Sequence, residues 1–268
     1  MPSTFAHRIF GEKVLLLLPE KERSCLSRWR DRFGLGLHGP DLLFYYKALS
    51  RNRVNELGRE MHDWPGLEFF RPIGEKLQSK NWPESSWAYL AGCLCHFALD
   101  YTCHGYVDEQ AARGGPNHNE IELELDRALI RGLGQSPAKG HFIGHILPSK
   151  GLAEDAAQFF PGISPEEILE SARSMRFIVS MVSAPSALER SAIDLALKIS
   201  GNQGLASIVM PRQEDIRCRE STAWLIDSMD RAGELAERLI LGFKDCVIGT
   251  RAFDEEYSYD FGSRRRLG

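Results

Sequence analysis

Apolar residues recur at three- and four-residue intervals along most of the chain, and no stretch shows the sustained alternation that a half-buried strand needs. The pattern therefore predicts an all-α, multi-helix bundle. Glu12 to about Arg32 reads as helix with interruptions near Pro19. The sequence GLGLHGP over 34–40 reads as turn-rich and is followed by an apolar, aromatic run from Leu42 to Tyr46. Leu67, Phe70, Ile73 and Leu77 mark a helix from about Pro65 to Lys80. Ser85 or Ser86 is a candidate cap for a helix from about Trp87 to His104. After the break at Gly114, Gly115 and Pro116, Asn117 caps a helix from His118 to about Leu133, which Gly134 stops. Pro137 to Gly151 reads as a loop with a short turn. Three further helices follow: Pro165 to about Val182 with Ser164 as cap, Pro185 to Ile199, and about Glu214 to Val247. The last has Ile216, Leu225, Met229, Leu235, Leu239 and Phe243 as candidate buried positions. The tail from Tyr257 to Gly268, with Arg264, Arg265 and Arg266, reads as a solvated, partly disordered end. With no repeat, linker or low-complexity segment, residues 1–268 read as one domain, its parts falling at about 1–133, 134–249 and 250–268.

Composition narrows the function more than the fold. Of 268 residues, 43% are hydrophobic and 26% charged, which suits a globular chain rather than a disordered one. Lys and Arg number 33 against 37 Asp and Glu, and the net charge of −4 gives no support to a nucleic-acid partner. The apolar run Val14 to Leu18, flanked by Glu12, Lys13 and Glu20, is too short for a signal-peptide core or a membrane span, so the expected location is cytoplasmic. The six cysteines lack regular disulfide spacing and are expected as thiols. Six of the eight histidines fall within the first 118 residues, so the polar chemistry is concentrated there.

The segment WAYLAGCLCHFALDYTCH, over 87–104, is apolar or small almost throughout, as a helix buried on all sides would be. It nevertheless carries His96, Asp100 and His104 at four-residue steps, which project from one face of a helix. An unpaired buried carboxylate costs several kcal/mol. Either a His–Asp–His hydrogen-bonded row or a divalent cation shared by these groups meets that demand. The next helix repeats the motif with His118 and Glu122, and Asp126 continues its row. Two adjacent helices that each present His and carboxylate at i and i+4 match the way helix bundles build metal sites. Asp41 follows the rigid His38-Gly39-Pro40 turn, and His62 and His7 are further candidates. Cys93, Cys95 and Cys103 point away from the His96–Asp100–His104 face and read as small buried hydrophobes. His141 and His145 lie four apart, but with flanking glycines and no carboxylate they read as loop or packing residues.

The ordered set His7, Asp41, His62, His96-x3-Asp100-x3-His104 and His118-x3-Glu122 resembles the bacterial zinc-dependent phospholipase C family, an all-α fold shared more distantly with single-strand nucleases of the S1/P1 type. The resemblance runs from about Pro2 to Leu133, through PSTFAH, GLHGPDLLFYY, YLAGCLCHFALDYTCH and HNEIELELD. It implies two or three zinc ions. Asp41, His62, His96 and Asp100 would serve one, and His104, His118 and Glu122 a second. His7 would serve a third, with Asp100 and Glu122 bridging. It also implies that Asp41 orients or deprotonates the attacking water, with Asp126 and Glu120 supporting the ligands from behind. The expected activity is zinc-dependent hydrolysis of a phospholipid or related small phosphodiester, with transient contact to a membrane surface; aromatics such as Phe69, Phe70 or Trp82 are candidates for that contact if exposed, although core packing is the stronger reading of all three. A nuclease or nucleotidase on the same metal frame, and a non-catalytic zinc-binding protein, are the alternatives.

Overall fold

The computed structural model describes residues 4–137, 142–183, 188–189, 191–193, 195, 209–211 and 213–264. Among them the chain is all-α, with no strand. The helix expected from Glu12 to Arg32 is three: α1 (Thr4–Leu17), α2 (Glu20–Arg28) and α3 (Arg30–Gly36). The breaks fall before Pro19 and at Trp29, which leaves the helical region (φ −110°, ψ 41°). α1 begins well before Glu12 because the carboxylate of Asp126, from far along the chain, accepts the N–H groups of Phe5 (3.1 Å) and Ala6 (2.7 Å). A first turn capped by a tertiary contact leaves no local signature in the sequence.

The turn-rich segment continues into a 3-10 helix over Gly39–Tyr45, and α4 (Arg53–His62) follows. α4 has few apolar positions, which hides its period. Its start is set by Asn52, whose side chain accepts the N–H groups of Val54 and Asn55 in a capping box. α5 (Gly66–Ser79) matches its expected span. α6 (Glu84–Ala112) is longer at both ends than expected. Pro83, rather than Ser85 or Ser86, occupies its cap position, and the Ser86 hydroxyl instead accepts from Gln158 (2.7 Å). α7 (His118–Gly132) starts at Asn117 as expected, with Glu120 completing the capping box. The expected loop over 137–151 gives way at its end to α8 (Lys150–Ala157), capped by Ser149.

α9 (Pro165–Ser183) and α10 (Arg219–Ile248) complete the bundle, and Gly249 closes α10 with a left-handed φ of 83°. Leu225, Met229, Leu235, Leu239 and Phe243 are buried as expected. Ile216 is exposed, because it lies in the 3-10 helix Ile216–Cys218 that precedes α10. The helix expected over 185–199 falls largely outside the described residues, as do His141, Arg265 and Arg266. The tail departs from expectation: Tyr257 and Phe261 are each 1% exposed, and Gly66 and Phe261 donate backbone hydrogen bonds to Tyr259 and His62. Two aromatic anchors and a backbone link hold this segment on the bundle. No described helix is long and apolar enough to cross a membrane.

α6 is the axis, packed by α1, α3, α7 and α10. It is buried without interruption from Ser86 to Asp100. α3 crosses it at Gly36 and Gly92, where a Cβ on either glycine would fall well inside 3 Å of the other helix's backbone. That close crossing delivers the chain after α3 directly over His96. Gly39 then takes a φ of 44°, and a Cβ there would lie 2.6 Å from the His96 ring. Three glycines therefore set how near Asp41 comes to α6. Gly92→Ala is expected to destabilise the protein by about 1–3 kcal/mol in chemical denaturation, because backbone must move to admit the methyl. Gly132→Ala, which meets nothing within 4 Å, is the control and should be neutral or stabilising by up to about 1 kcal/mol. Equal effects at the two positions would contradict the crossing as the constraint.

Candidate metal centre

Eight side chains from five elements converge beside the midpoint of α6: His7 from α1, Asp41 from the 3-10 helix, His62 from the end of α4, His96, Asp100 and His104 from α6, and His118 and Glu122 from α7. Asp100 is central. Its Oδ1 lies 3.3 Å from His7 Nε2 and 3.5 Å from His104 Nε2, and its Oδ2 lies 3.2 Å from His96 Nε2. Asp41 Oδ1 faces His62 Nε2 at 2.7 Å and His96 Nε2 at 3.7 Å. Glu122 Oε1 faces His104 Nε2 at 3.1 Å and His118 Nε2 at 3.3 Å. Three triads result, each with its donor atoms within 4.8 Å of one another: His7, His96 and Asp100; Asp41, His62 and His96; His104, His118 and Glu122. Asp100 faces both His96 and His7, the two partners expected of it, while Asp41 and His62 meet at His96.

The backbone fixes several of these rings. His62 Nδ1 donates to Gly58 O (2.6 Å), and His96 Nδ1 donates to Leu37 O (3.2 Å). Burial pushes the His96 pKa down to about 4 against the pull of Asp100 and Asp41, so the ring is neutral with its Nε2 lone pair facing two carboxylates. His96 Nε2, Asp100 Oδ2 and Glu122 Oε2 are all buried without a hydrogen bond. Lone pairs facing one another in a desolvated space repel, and a cation among them removes the repulsion. The donor set of imidazole and carboxylate therefore fits a borderline divalent ion such as zinc.

His104 shows the other side of the same imbalance. Burial opposes its charge, yet Asp100 and Glu122 outweigh it and raise its pKa to about 10. Burial is likewise overcome at Glu122, held well below the carboxylate range by His104 and His118, and at Asp100, lowered by His104, His96 and His7. Protons on the imidazoles stand where metal charge would otherwise be.

Sequence reasoning missed three neighbours. Asp108 accepts from His118 Nδ1 (2.8 Å) and so orients that ring. The signal was present, since Asp108 is one further i+4 step along the row of His96, Asp100 and His104. His38 is buried and lines the polar pocket with His7, Asp41, Tyr45, His104, Glu122 and Met175. Its Nε2 lies 2.8 Å from His145 Nε2, and burial keeps both rings below their ordinary pKa, His145 at about 3. Nothing local pairs residues 107 positions apart.

Other expectations need correction. Glu120 does not stand behind the cluster: its carboxylate accepts from Asn117 N–H and faces Arg217. Asp126 anchors the first turn of α1, close ahead of His7, and burial raises its pKa to about 8 despite the two N–H donors. Phe69 and Phe70 are core residues, 2% and 0% exposed, and Trp82 stacks edge-on against Trp87, so core packing, the stronger reading of these aromatics, holds and the surface role falls away. Cys93, Cys95 and Cys103, by contrast, are as expected: buried free thiols that join none of the triads, with burial raising all three pKa values.

The sequence profile of zinc-dependent phospholipase C matches residues 1–156, which is more than half of the chain and contains all eight converging residues. The chain belongs to the zinc-dependent phospholipase C family. No curated protein and no solved structure matches it.

Family membership and the His104 pKa together give a pH-dependent expectation. In the metal-free protein His104 holds its proton up to about pH 10, so a zinc ion taken up through His104 would have to displace that proton at neutral pH. Titration calorimetry in buffers of different ionisation enthalpy should show net proton release, and apparent zinc affinity should rise with pH through the neutral and alkaline range. Affinity independent of pH, with no proton released, would contradict a role for His104 as ligand. In the absence of zinc the sign is simple: a raised histidine pKa stabilises the fold fully below about 6.5, and that stabilisation is lost as pH rises through about 10.

Proposed function

We propose that the chain hydrolyses a phosphodiester of phospholipid type, with His7, Asp41, His62, His96, Asp100, His104, His118 and Glu122 holding two or three zinc ions. The observation that carries this reading is the set of buried, unbonded donor atoms His96 Nε2, Asp100 Oδ2 and Glu122 Oε2 within interlocking triads. Zinc bound there supplies positive charge against the diester oxygens and makes water more acidic.

Charge argues for more than one ion. With neutral imidazoles, the three carboxylates give the cluster −3. One divalent ion leaves it at −1, which repels an anionic diester, whereas two bring it to +1.

The chain's own residues supply the rest. Asp41 lines the polar pocket with His7, His104 and Glu122. The Gly39-Pro40 turn sets its carboxylate facing His62 and His96. It is the candidate to take the proton of the attacking water. Asp108 and the carbonyls of Gly58 and Leu37 orient His118, His62 and His96 by holding their other ring nitrogens.

Zinc per chain, measured on protein purified without chelators or a polyhistidine tag, comes first. Turnover of phosphatidylcholine, short single-stranded DNA and a chromogenic diester follows. Two or three zinc ions with turnover of phosphatidylcholine support the reading. Turnover confined to DNA supports a nuclease, and zinc without turnover of any diester supports a binding protein. Asp100→Ala should lose zinc and stability together, since it strands three imidazoles without their shared carboxylate. Asp41→Asn should retain the fold and most zinc while lowering turnover about 10²-fold or more; unchanged turnover removes Asp41 from that role.

A further inference from the structure

We infer that His38, which belongs to none of the three triads, is a further catalytic residue: held by His145, it donates a hydrogen bond from Nδ1–H to the oxygen of the attacking water. The inference rests on the phosphodiesterase reading above.

The pairing of the two rings fixes where their protons lie. Their Nε2 atoms are 2.8 Å apart, so one ring donates and the other accepts. Burial keeps both rings neutral, and each therefore has a single N–H. His145 Nδ1 is buried with no hydrogen-bond partner among the described residues. Were His145 the acceptor, its own N–H would be stranded at that Nδ1. As the donor it leaves only a lone pair there, on a ring that feels the positive charges of Arg8 and Arg30. An orphaned buried N–H is the costlier of the two, and positive charge favours the lone pair. The His145 proton sits on Nε2, and His38, accepting through Nε2, carries its own on Nδ1.

The backbone holds both rings in place. His145 lies against Gly34 of α3, where a Cβ would come within 3.2 Å of the His145 carbonyl oxygen. The carbonyls of Phe142 and Ile146, on either side of it, accept from Arg8 on α1 (3.3 Å) and Arg176 on α9 (3.3 Å). His38 donates its backbone N–H to Leu35 O (3.1 Å), and its own carbonyl accepts from Asp41 N–H (2.9 Å). The turn that carries Asp41 carries His38 as well.

His38 and Asp41 both line the polar pocket, whose cavity of about 10 Å³ is at the lower limit for a single water. His145 is not among its walls, so Nδ1 is the nitrogen His38 has left for the pocket. A water that passes a proton to Asp41 gathers negative charge on its oxygen. A donor facing that oxygen stabilises the charge as it forms. Because the imidazole is neutral, it does so without repelling cations held by the neighbouring triads.

Long-range 1H–15N NMR on histidine-labelled protein reads the tautomers directly and needs neither zinc nor substrate. His38 should carry its proton on Nδ1 and His145 on Nε2; the reverse assignment overturns the inference. His145→Glu, which accepts from His38 instead of donating, should move the His38 proton to Nε2. In zinc-loaded protein, fluoride stands in for the water oxygen, since it has about the size of a water and only accepts hydrogen bonds. His38→Leu should weaken fluoride binding in calorimetry by about tenfold or more, and His145→Glu should weaken it too. His38→Asn, whose amide nitrogen falls near the Nδ1 position, should restore most of the affinity, and His38→Gln, whose amide falls near Nε2, should not. Wild-type fluoride affinity in a His38→Leu variant that keeps its fold and zinc content overturns the inference. Wild-type protein that shows the fluoride series but hydrolyses no diester would sink the proposed activity while leaving the His38 donor standing.

Discussion

The structure turns on a carboxylate placed where water cannot reach it. Asp100 sits at the middle of a helix buried from Ser86 onward, with imidazoles from α1 and from both neighbouring turns of α6 around it. An ionised carboxylate in such a place is tolerable only with compensating charge. Protonated imidazoles supply part of it in the metal-free chain, which is why His104 is driven upward while His96, enclosed and bonded through Nδ1 to Leu37, is driven down. The two rings flank the same aspartate one helical turn away on either side and respond oppositely. Protons alone therefore neutralise the cluster unevenly, and His96 is left with its lone pair facing negative oxygen.

That constraint reaches into the fold because no single element owns the cluster. α1 is placed by Asp126, which lies four residues beyond Glu122 on α7, so one helix both contributes a ligand candidate and fixes the start of the helix bearing another. The Gly36–Gly92 crossing and the left-handed turn at Gly39 bring Asp41 over His96. The tail closes the opposite side, with Phe261 against the rings of His62 and His96 and its N–H bonded to His62 O. Anything that fills the cluster thus ties together segments from both ends of the chain, and its binding free energy contributes to holding the bundle closed.

Sequence periodicity was most informative where burial and local capping agree. The spacing of His96, Asp100 and His104 within an apolar helix, and of His118 and Glu122 behind the Asn117 cap, identified residues that do converge, because i+4 steps translate directly into one helix face. Reading failed where tertiary contact decided the outcome. The start of α1 depends on Asp126, and the pairing of His38 with His145 spans 107 residues. The aromatics Phe69 and Phe70 look suited to a lipid surface by type alone, but the spacing of Phe70 with Leu67, Ile73 and Leu77 already pointed inward and α5 buries both, whereas Phe177 on the partly polar α9 is left exposed. Residue type reports what a side chain can do, and only packing decides which way it faces. The tail erred for the same reason, since its arginines suggest solvent while Tyr257 and Phe261 anchor it.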